Sequence, residues 1–106
     1  MISSNKELAG ILGLAQGARK LVYGEVAHKA IADKKSHLLL ISDDASKRTT
    51  EKLVNRAKYY EMEYYIIDED TLNKSTGNYN KKFLVVLDAG FSKRIIDICR
   101  KRWRYG

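Results

Sequence analysis

Cationic and aromatic residues alternate near the end of the chain, in the run Arg100-Lys101-Arg102-Trp103-Arg104-Tyr105. Arginine and lysine can contact phosphates, and the aromatic rings offer surfaces on which bases stack. Residues 93–106 contain six basic residues and one acidic residue, so they carry +5 of the chain's net charge of +7. Cations at a helix C-terminus also offset the helix dipole, but six exceed what that purpose needs. We therefore expect this basic tail to add sequence-independent affinity for a nucleic acid, with a solvated helix end as the alternative.

Two more basic pairs, Arg19-Lys20 and Lys81-Lys82, lie next to predicted turns. The first pair precedes Gly24, where the second predicted helix begins, and the other pair precedes the last predicted strand. If the strands form one sheet, both pairs and the start of that helix would share one end of the molecule and create a nucleic-acid face. The helix itself is less informative, because Lys29 has acidic residues four positions away on both sides, a pattern that stabilises any exposed helix.

The residues that enzymes, metal sites and cofactor sites require do not occur in the necessary arrangements. The chain has no phosphate-binding loop of the Gly-x-x-x-x-Gly-Lys-Ser/Thr type. Its two histidines, His28 and His37, lie on different predicted elements and lack the spacing of a helical zinc pair. A solvated His28 and a His37 at the edge of the sheet are expected instead. We expect no catalysis, no cofactor, no metal and no small-molecule substrate.

Cys99 and the acidic clusters each have a structural explanation beside a chemical one. The thiol lies on the apolar stripe of the last predicted helix with no histidine near it in sequence, so a core position is favoured over a nucleophile. The clusters Asp43-Asp44 and Asp68-Glu69-Asp70 follow predicted strands, where enzymes place carboxylates. Such residues also cap helix N-termini, and capping is the favoured interpretation.

Length and composition predict one small basic domain over residues 1–106. A chain of 106 residues can bury a single core, and 44 % hydrophobic with 31 % charged residues is a globular composition. The apolar runs are too short to span a bilayer, and the N-terminus lacks the features of a secretory signal. A cytoplasmic protein with no membrane contact is therefore expected.

Hydrophobic periodicity predicts helices that alternate with strands. The capping box Ser4-x-x-Glu7 would begin the first helix and Gly17 would end it. The apolar run Tyr64–Ile67 is predicted as a second central strand after Leu38–Ile41. This order predicts a three-layer α/β/α sandwich with a mixed or mostly parallel sheet. In chain order we expect a helix over 5–16, a brief strand over 20–23, a helix after Gly24, a strand over 38–41, a long helix capped by Asp43, Asp44 or Ser46, a strand over 64–67, a short helix over 70–76, a strand over 83–87 and a helix from Phe91.

Three stretches of the chain follow a pattern found in one protein superfamily. They are Leu12-Gly13-Leu14-Ala15-x-x-Ala18-Arg19-Lys20-Leu21-Val22-x-Gly24-Glu25, then Leu38-Leu39-Leu40-Ile41-Ser42-x-Asp44-Ala45-Ser46, and Leu72-x-Lys74-x-x-Gly77. Together they resemble the kink-turn-binding ribosomal proteins of the L-seven-Ae and L-thirty-e type, and among these the short bacterial YlxQ-type members. The resemblance covers nearly the whole chain. It implies a three-layer α/β/α fold and the binding of RNA kink-turns.

The family motif is Gly-x-Asn-Glu-x-x-Lys at the start of helix two. Lys29 matches its lysine and Gly24 its glycine with one residue missing between them, and Glu25 and Val26 stand at the Asn and Glu positions. The resemblance implies that this helix start binds phosphates and base edges, and that the loop after Gly77 shelters an extruded base. The candidate RNA-binding residues are Arg19, Lys20, Gly24, Glu25, His28, Lys29, Gly77, Asn78, Tyr79, Asn80, Lys81 and Lys82, with Arg100, Lys101, Arg102 and Arg104 as an auxiliary basic tail.

The residues and the resemblance together favour a non-enzymatic protein that binds structured RNA, ribosomal or otherwise kink-turn-like. The resemblance also implies association with the ribosome or with translation. The alternative is a protein-interaction adaptor on the same fold. In that case the altered motif reflects lost kink-turn recognition, and the basic tail docks an acidic partner.

Overall fold

Helices and strands alternate along the chain as the hydrophobic pattern predicts. The computed structural model describes the backbone of residues 2–77 and 81–102 and the side chains of residues 6–77 and 81–101. The elements are α1 Ile2–Gly17, β1 Leu21–Val22, α2 Gly24–Ala32, β2 Leu38–Ser42, α3 Lys47–Tyr59, β3 Glu63–Ile67, α4 Glu69–Thr76, β4 Phe83–Val86 and α5 Ala89–Arg102. In the described part of the chain no helix is both long and apolar enough to cross a membrane.

The four strands form one mixed sheet in the order β1-β4-β2-β3. Strand β4 is antiparallel to both β1 and β2, whereas β2 and β3 are parallel. The prediction of a mixed sheet is confirmed, but the prediction that Tyr64–Ile67 is a central strand is wrong, because β3 lies at an edge. Its apolar run reflects side chains that pack on both faces of the sheet, and such a run does not reveal how many strands lie beside it.

Two apolar layers enclose the sheet and confirm the three-layer sandwich. Along β2 the side chains alternate between them, so that Leu38 and Leu40 pack with one cluster and Leu39 and Ile41 with the other. The first cluster contains buried residues of α1, α4 and α5, and the second contains buried residues of α2 and α3. The recognition helix predicted from the sequence, α2, therefore shares one face of the sheet with α3.

Cys99 belongs to the core, as its place on the apolar stripe predicts. The residue is completely buried in the cluster formed by α1, α4 and α5. Burial penalises the thiolate and raises the pKa of the Cys99 thiol to about 12. Its chemistry at neutral pH is therefore that of a small apolar side chain.

Helix boundaries follow capping signals in α3 and α4 but not in α1. The Ser46 hydroxyl accepts a hydrogen bond from the Thr49 amide at 3.1 Å, and an Asp68 carboxylate oxygen accepts one from the Thr71 amide at 3.0 Å. Helix α1 begins at Ile2, so Ser4 lies inside the helix and the predicted capping box does not mark its start. No proline or glycine precedes Ser4, so nothing in the local sequence opposes the extra turn.

Candidate nucleic-acid interface

The start of α2 and the start of β4 lie side by side at one end of the sheet. Because β1 is antiparallel to β4, the chain leaves β1 next to the point where β4 begins. The Lys81 Nζ atom lies 5.6 Å from the centroid of the Tyr23 ring, within cation–π range. The rings of His28 and Phe83 have centroids 5.2 Å apart. We call this region the α2–β4 edge, and it consists of residues 23–25, His28 and residues 81–83.

Gly24 turns the chain from β1 into α2 with a left-handed backbone conformation, φ 56°. The space around it would admit a Cβ atom, so the conformation rather than crowding favours glycine. The N-cap residue Tyr23 makes no side-chain capping hydrogen bond to the helix. The first amides of α2 therefore have no side-chain acceptor from the N-cap, which suits the binding of a phosphate at this helix N-terminus.

His28 is half-buried rather than solvated, which corrects the prediction for this side chain. Its ring packs against Phe83, and its backbone carbonyl accepts a hydrogen bond from the Arg56 Nη2 atom at 3.0 Å. Burial and the nearby Arg56 charge lower the pKa of His28. At neutral pH the ring is therefore uncharged and can both donate and accept a hydrogen bond.

Lys82 is held at the α2–β4 edge by Asp44. Its Nζ atom lies 2.5 Å from the Asp44 Oδ2 atom. The Ser42 hydroxyl donates to the other carboxylate oxygen of Asp44. The contact with Lys82 lowers the pKa of Asp44 to about 2, and the contact with Asp44 raises the pKa of Glu69. Lys82 therefore faces a negatively charged neighbourhood as well as the solvent.

The acidic clusters serve mainly as helix caps, as predicted. Asp68 caps α4 through its contacts with the amide and hydroxyl of Thr71. Asp43 accepts a hydrogen bond from the Glu69 amide at 3.1 Å and so contributes a second contact to the start of the same helix. Asp44 departs from this pattern because its main partner is Lys82. Among the described residues, no group of three or more potential ligands could hold a metal ion.

Arg19 and Lys20 lie at the other end of β1, so the prediction that both basic pairs share one end of the sheet is wrong for this pair. The Lys20 carbonyl accepts a hydrogen bond from the Leu87 amide at 2.8 Å, next to the end of β4. Antiparallel pairing produces this separation, because the start of β1 must lie beside the end of β4. Arg19 has a left-handed backbone conformation, φ 61°.

Lys29 lies on α2 beyond the α2–β4 edge. Its Nζ atom is 3.5 Å from the Asp33 Oδ2 atom, which is one of the two helical ion pairs that the sequence allows. The Lys29 side chain is 79 % exposed, so this pair leaves it accessible to another anion. Glu25 is also exposed, in the first turn of the same helix.

The beginning of the basic tail lies near the start of β3. Arg100 pairs with Glu63 at 2.9 Å, and Lys101 is exposed.

Gly77 ends α4 with φ 72°. For three groups of candidate residues, the whole residue or its side chain lies outside the described part of the chain. They are Asn78, Tyr79 and Asn80 in the loop before β4, the side chain of Arg102, and Arg104.

Four residues that are not predicted as site residues contact candidate residues of this region: Tyr23, Asp44, Arg56 and Phe83. Tyr23 precedes the candidate residue Gly24, and Phe83 follows the candidate residue Lys82. Their positions next to candidate residues could have indicated that they belong to the site. The contact between Asp44 and Lys82 spans 38 residues, and the contact between Arg56 and His28 spans 28 residues. Those two contacts follow from the strand order and from the packing of α2 on α3, neither of which local sequence patterns encode.

Two curated relatives match nearly the whole chain. The RNA-binding protein YlxQ of Bacillus subtilis (strain 168) is 33 % identical over 97 residues, which cover 90 % of this chain and 97 % of the relative. The RNA-binding protein YlxQ of Enterococcus faecium is 32 % identical over 97 residues, which cover 89 % of this chain and 93 % of the relative. No protein-family model matches the chain.

Two solved structures have a similar fold. A Bacillus halodurans protein of unknown function superposes with a TM-score of 0.82 and 28 % identity, over 88 % of this chain and 96 % of that one. The Giardia lamblia 15.5kD RNA binding protein superposes with a TM-score of 0.72 and 16 % identity, over 93 % of this chain and 87 % of that one. The second similarity, at this low identity, concerns the fold alone.

Proposed function

The chain belongs to the YlxQ family, and from this membership we propose that it binds structured RNA at the α2–β4 edge. The observation that carries the proposal is the juxtaposition of the uncapped start of α2 with Lys81 and Lys82 at one end of the sheet. Helix amides and lysine ammonium groups there present positive potential to a phosphate backbone. The names of the two relatives support the same class of ligand.

We propose that the RNA carries a sharp internal bend of the kink-turn type. Its phosphates would bind the first amides of α2 and the exposed Lys29 ammonium group, which neutralise backbone charge. Glu25 and the neutral His28 ring would hydrogen-bond exposed base edges. The loop after Gly77 would contact an extruded base, and the basic tail would add affinity that does not depend on sequence. Ribosome association, a cytoplasmic location and a role without catalysis belong to the same proposal.

Calorimetric titration tests this function directly. The titrant is a kink-turn RNA, and the reference is a duplex of equal length that lacks the G·A pairs, each at two salt concentrations. We expect tighter binding of the kink-turn RNA at both concentrations. Equal affinities for the two RNAs would contradict kink-turn recognition and would indicate binding driven by charge alone. If neither RNA binds, the proposed function is wrong.

Substitution of Lys29 by Ala tests the site. We expect at least a fivefold loss of affinity for the kink-turn RNA, since an exposed cation on α2 would lose its phosphate contact. The matched control is Lys6→Ala, which removes an exposed lysine from α1, on the other face of the sheet and outside the basic tail. If Lys29→Ala and Arg19→Ala both bind like the unchanged protein, the site assignment is wrong. RNA that stays with the purified protein in low salt, as judged from the absorbance ratio at 260 and 280 nm, would favour RNA binding over the adaptor alternative, although the basic tail alone can retain some RNA.

A further inference from the structure

A small apolar groove adjoins Lys29 on the outer side of α2. Its apolar walls are Val22, Val26, Ala30 and Leu87, and its volume is about 350 Å³. Val26 is 61 % exposed although it is aliphatic, and its exposed neighbours Glu25 and Lys29 on the same helix are charged. We call this feature the Val26 groove. Its walls lack polar side chains, and its charged groups come from the remaining lining residues.

Cations predominate around the Val26 groove. Lys29, Lys35 and Asp33 complete its lining, and Lys29 lies 3.5 Å from Asp33 and offsets that carboxylate. The backbone of Lys20 is hydrogen-bonded to Leu87, so the basic pair Arg19-Lys20 lies beside the same wall. An apolar recess surrounded by an excess of positive charge matches a ligand with a flat apolar body and attached anionic groups.

We propose that the Val26 groove accepts the base of one unpaired nucleotide while Lys29 and Lys35 bind the phosphates beside it. This inference rests on the proposed binding of RNA and adds a second contact, separate from the α2–β4 edge. A base in a regular helix is stacked on both faces, so only a bulged or splayed nucleotide can enter. Because Val22, Val26, Ala30 and Leu87 offer no hydrogen-bonding side chain, contact with these apolar walls does not discriminate among the four bases.

The position of Val26 in the chain supports the same assignment. Counted back from Lys29, Val26 stands at the glutamate position of the kink-turn motif, so an aliphatic side chain replaces a carboxylate three residues before Lys29. Valine removes that charge and adds an apolar wall. The groove also lies near the end of β1 at which Arg19 and Lys20 are found, so it gives these two cations a place in the RNA interface.

The test uses a double-mutant cycle between protein and RNA. The first RNA is a hairpin with tandem G·A pairs and a three-nucleotide bulge, the second has an abasic residue in the centre of the bulge, and the third is fully paired. The protein variants are Val26→Ser and the matched control Leu14→Ser, which alters an equally exposed aliphatic residue, 60 % exposed, on α1. Both positions are exposed, so both variants fold, and a thermal melt verifies it.

We expect the abasic substitution to weaken binding to the unchanged protein about fivefold to tenfold, the scale of burying one apolar group. It should have little effect on binding to Val26→Ser, since that variant has already lost the contact. Leu14→Ser should behave like the unchanged protein. In methyl NMR spectra of the complex, the signals of Val22, Val26 and Leu87 should shift.

Failure of this inference is distinguishable from failure of the proposed function. If the hairpins bind but the abasic residue and Val26→Ser have no effect, RNA binding stands and the nucleotide groove is refuted. If the methyl signals stay in place in the saturated complex, RNA leaves the groove open to another occupant such as a protein, and the inference is again refuted. If no hairpin binds, the proposed function fails together with it.

Discussion

Lys82 is not a free cation at the edge of the sheet, because the Asp44 carboxylate holds it at 2.5 Å. Exposed ion pairs contribute little to stability. The main consequence of this pair concerns charge, because an RNA phosphate bound at the proposed site would share the Lys82 ammonium group with Asp44. At the proposed RNA site we therefore expect Lys82 to contribute less to the affinity than Lys81, whose Nζ atom lies over the Tyr23 ring.

The contact between Asp44 and Lys82 predicts that the Asp44 carboxyl group titrates at an unusually low pH. The pKa of Asp44, lowered from 3.8 to about 2, should return toward its ordinary value in the Lys82→Met variant. A group whose pKa is lowered by folding stabilises the native state above its unfolded pKa, and this contribution is lost as the pH falls from about 4 to about 2. Carboxyl carbon-13 NMR measures the titration directly. Lys74→Met, which breaks the exposed pair with Asp70, is the control and should leave Asp44 unchanged. An ordinary Asp44 pKa in the unchanged protein would contradict the contact.

The acidic residues also illustrate what the sequence can predict at this scale. Asp68 precedes a helix by one position, so its capping role follows from local sequence. Asp44 has the same local setting, at the end of a strand and close to the start of α3, but it binds a lysine 38 residues away. That partner becomes available only because β4 lies beside β2 in the sheet.

At the scale of elements, Gly24 determines how β1 joins α2. A left-handed φ is costly for any residue with a Cβ atom, by roughly 1–2 kcal/mol. The helix that carries His28 and Lys29 begins at this residue. A change in the backbone here therefore alters the position of the α2–β4 edge and not only the stability of the fold.

Gly24→Ala should lower the free energy of unfolding by about 1–2 kcal/mol, because alanine strains the left-handed conformation. Gly10→Ala is the matched control: Gly10 lies inside α1, nothing would lie within 4 Å of a new Cβ atom, and alanine is the better helix former by about 1 kcal/mol. The control should therefore be more stable than the unchanged protein. Urea unfolding measures both changes. A stabilised Gly24→Ala variant would refute the conformational role of this glycine.

Most elements could be predicted from the sequence, because their hydrophobic patterns report which faces are covered. Strand β3 shows that the same patterns do not predict the position of a strand within the sheet. Its side chains Tyr64, Tyr65 and Ile67 are buried, but within the described ranges 2–77 and 81–102 the strand pairs with β2 alone. Strand order depends on which segments meet after long connections, and the antiparallel insertion of β4 between β1 and β2 leaves no local trace in the sequence.

At the scale of the whole molecule, positive charge is divided among separate regions. Lys81 and Lys82 lie at the start of β4, Arg19 and Lys20 beside its end, and the basic tail begins where Arg100 meets Glu63 at the start of β3. An RNA that contacts all three regions must reach both ends of β4 and the start of β3. A short straight duplex would contact fewer of them and would show a weaker dependence on salt.

The tail residues should contribute unequally to that dependence. Lys101→Gln should reduce the slope of log affinity against log salt by up to about 0.9, the effect of one lost phosphate contact on duplex RNA or DNA. Arg100→Gln should reduce it less, because Arg100 is already paired with Glu63 at 2.9 Å. Fluorescence anisotropy with a labelled RNA at four salt concentrations measures both slopes. If neither substitution nor the joint neutralisation of Arg100, Lys101, Arg102 and Arg104 changes the slope, the tail is a solvated helix end.

The complete burial of Cys99 has a practical consequence for such measurements. Maleimide dyes react with thiolates, and this thiol is both shielded from reagents and protonated at neutral pH. A cysteine introduced at an exposed position can therefore carry a fluorophore or a spin label while the native one stays in place. Distances between a labelled protein and a labelled RNA become measurable without altering the core.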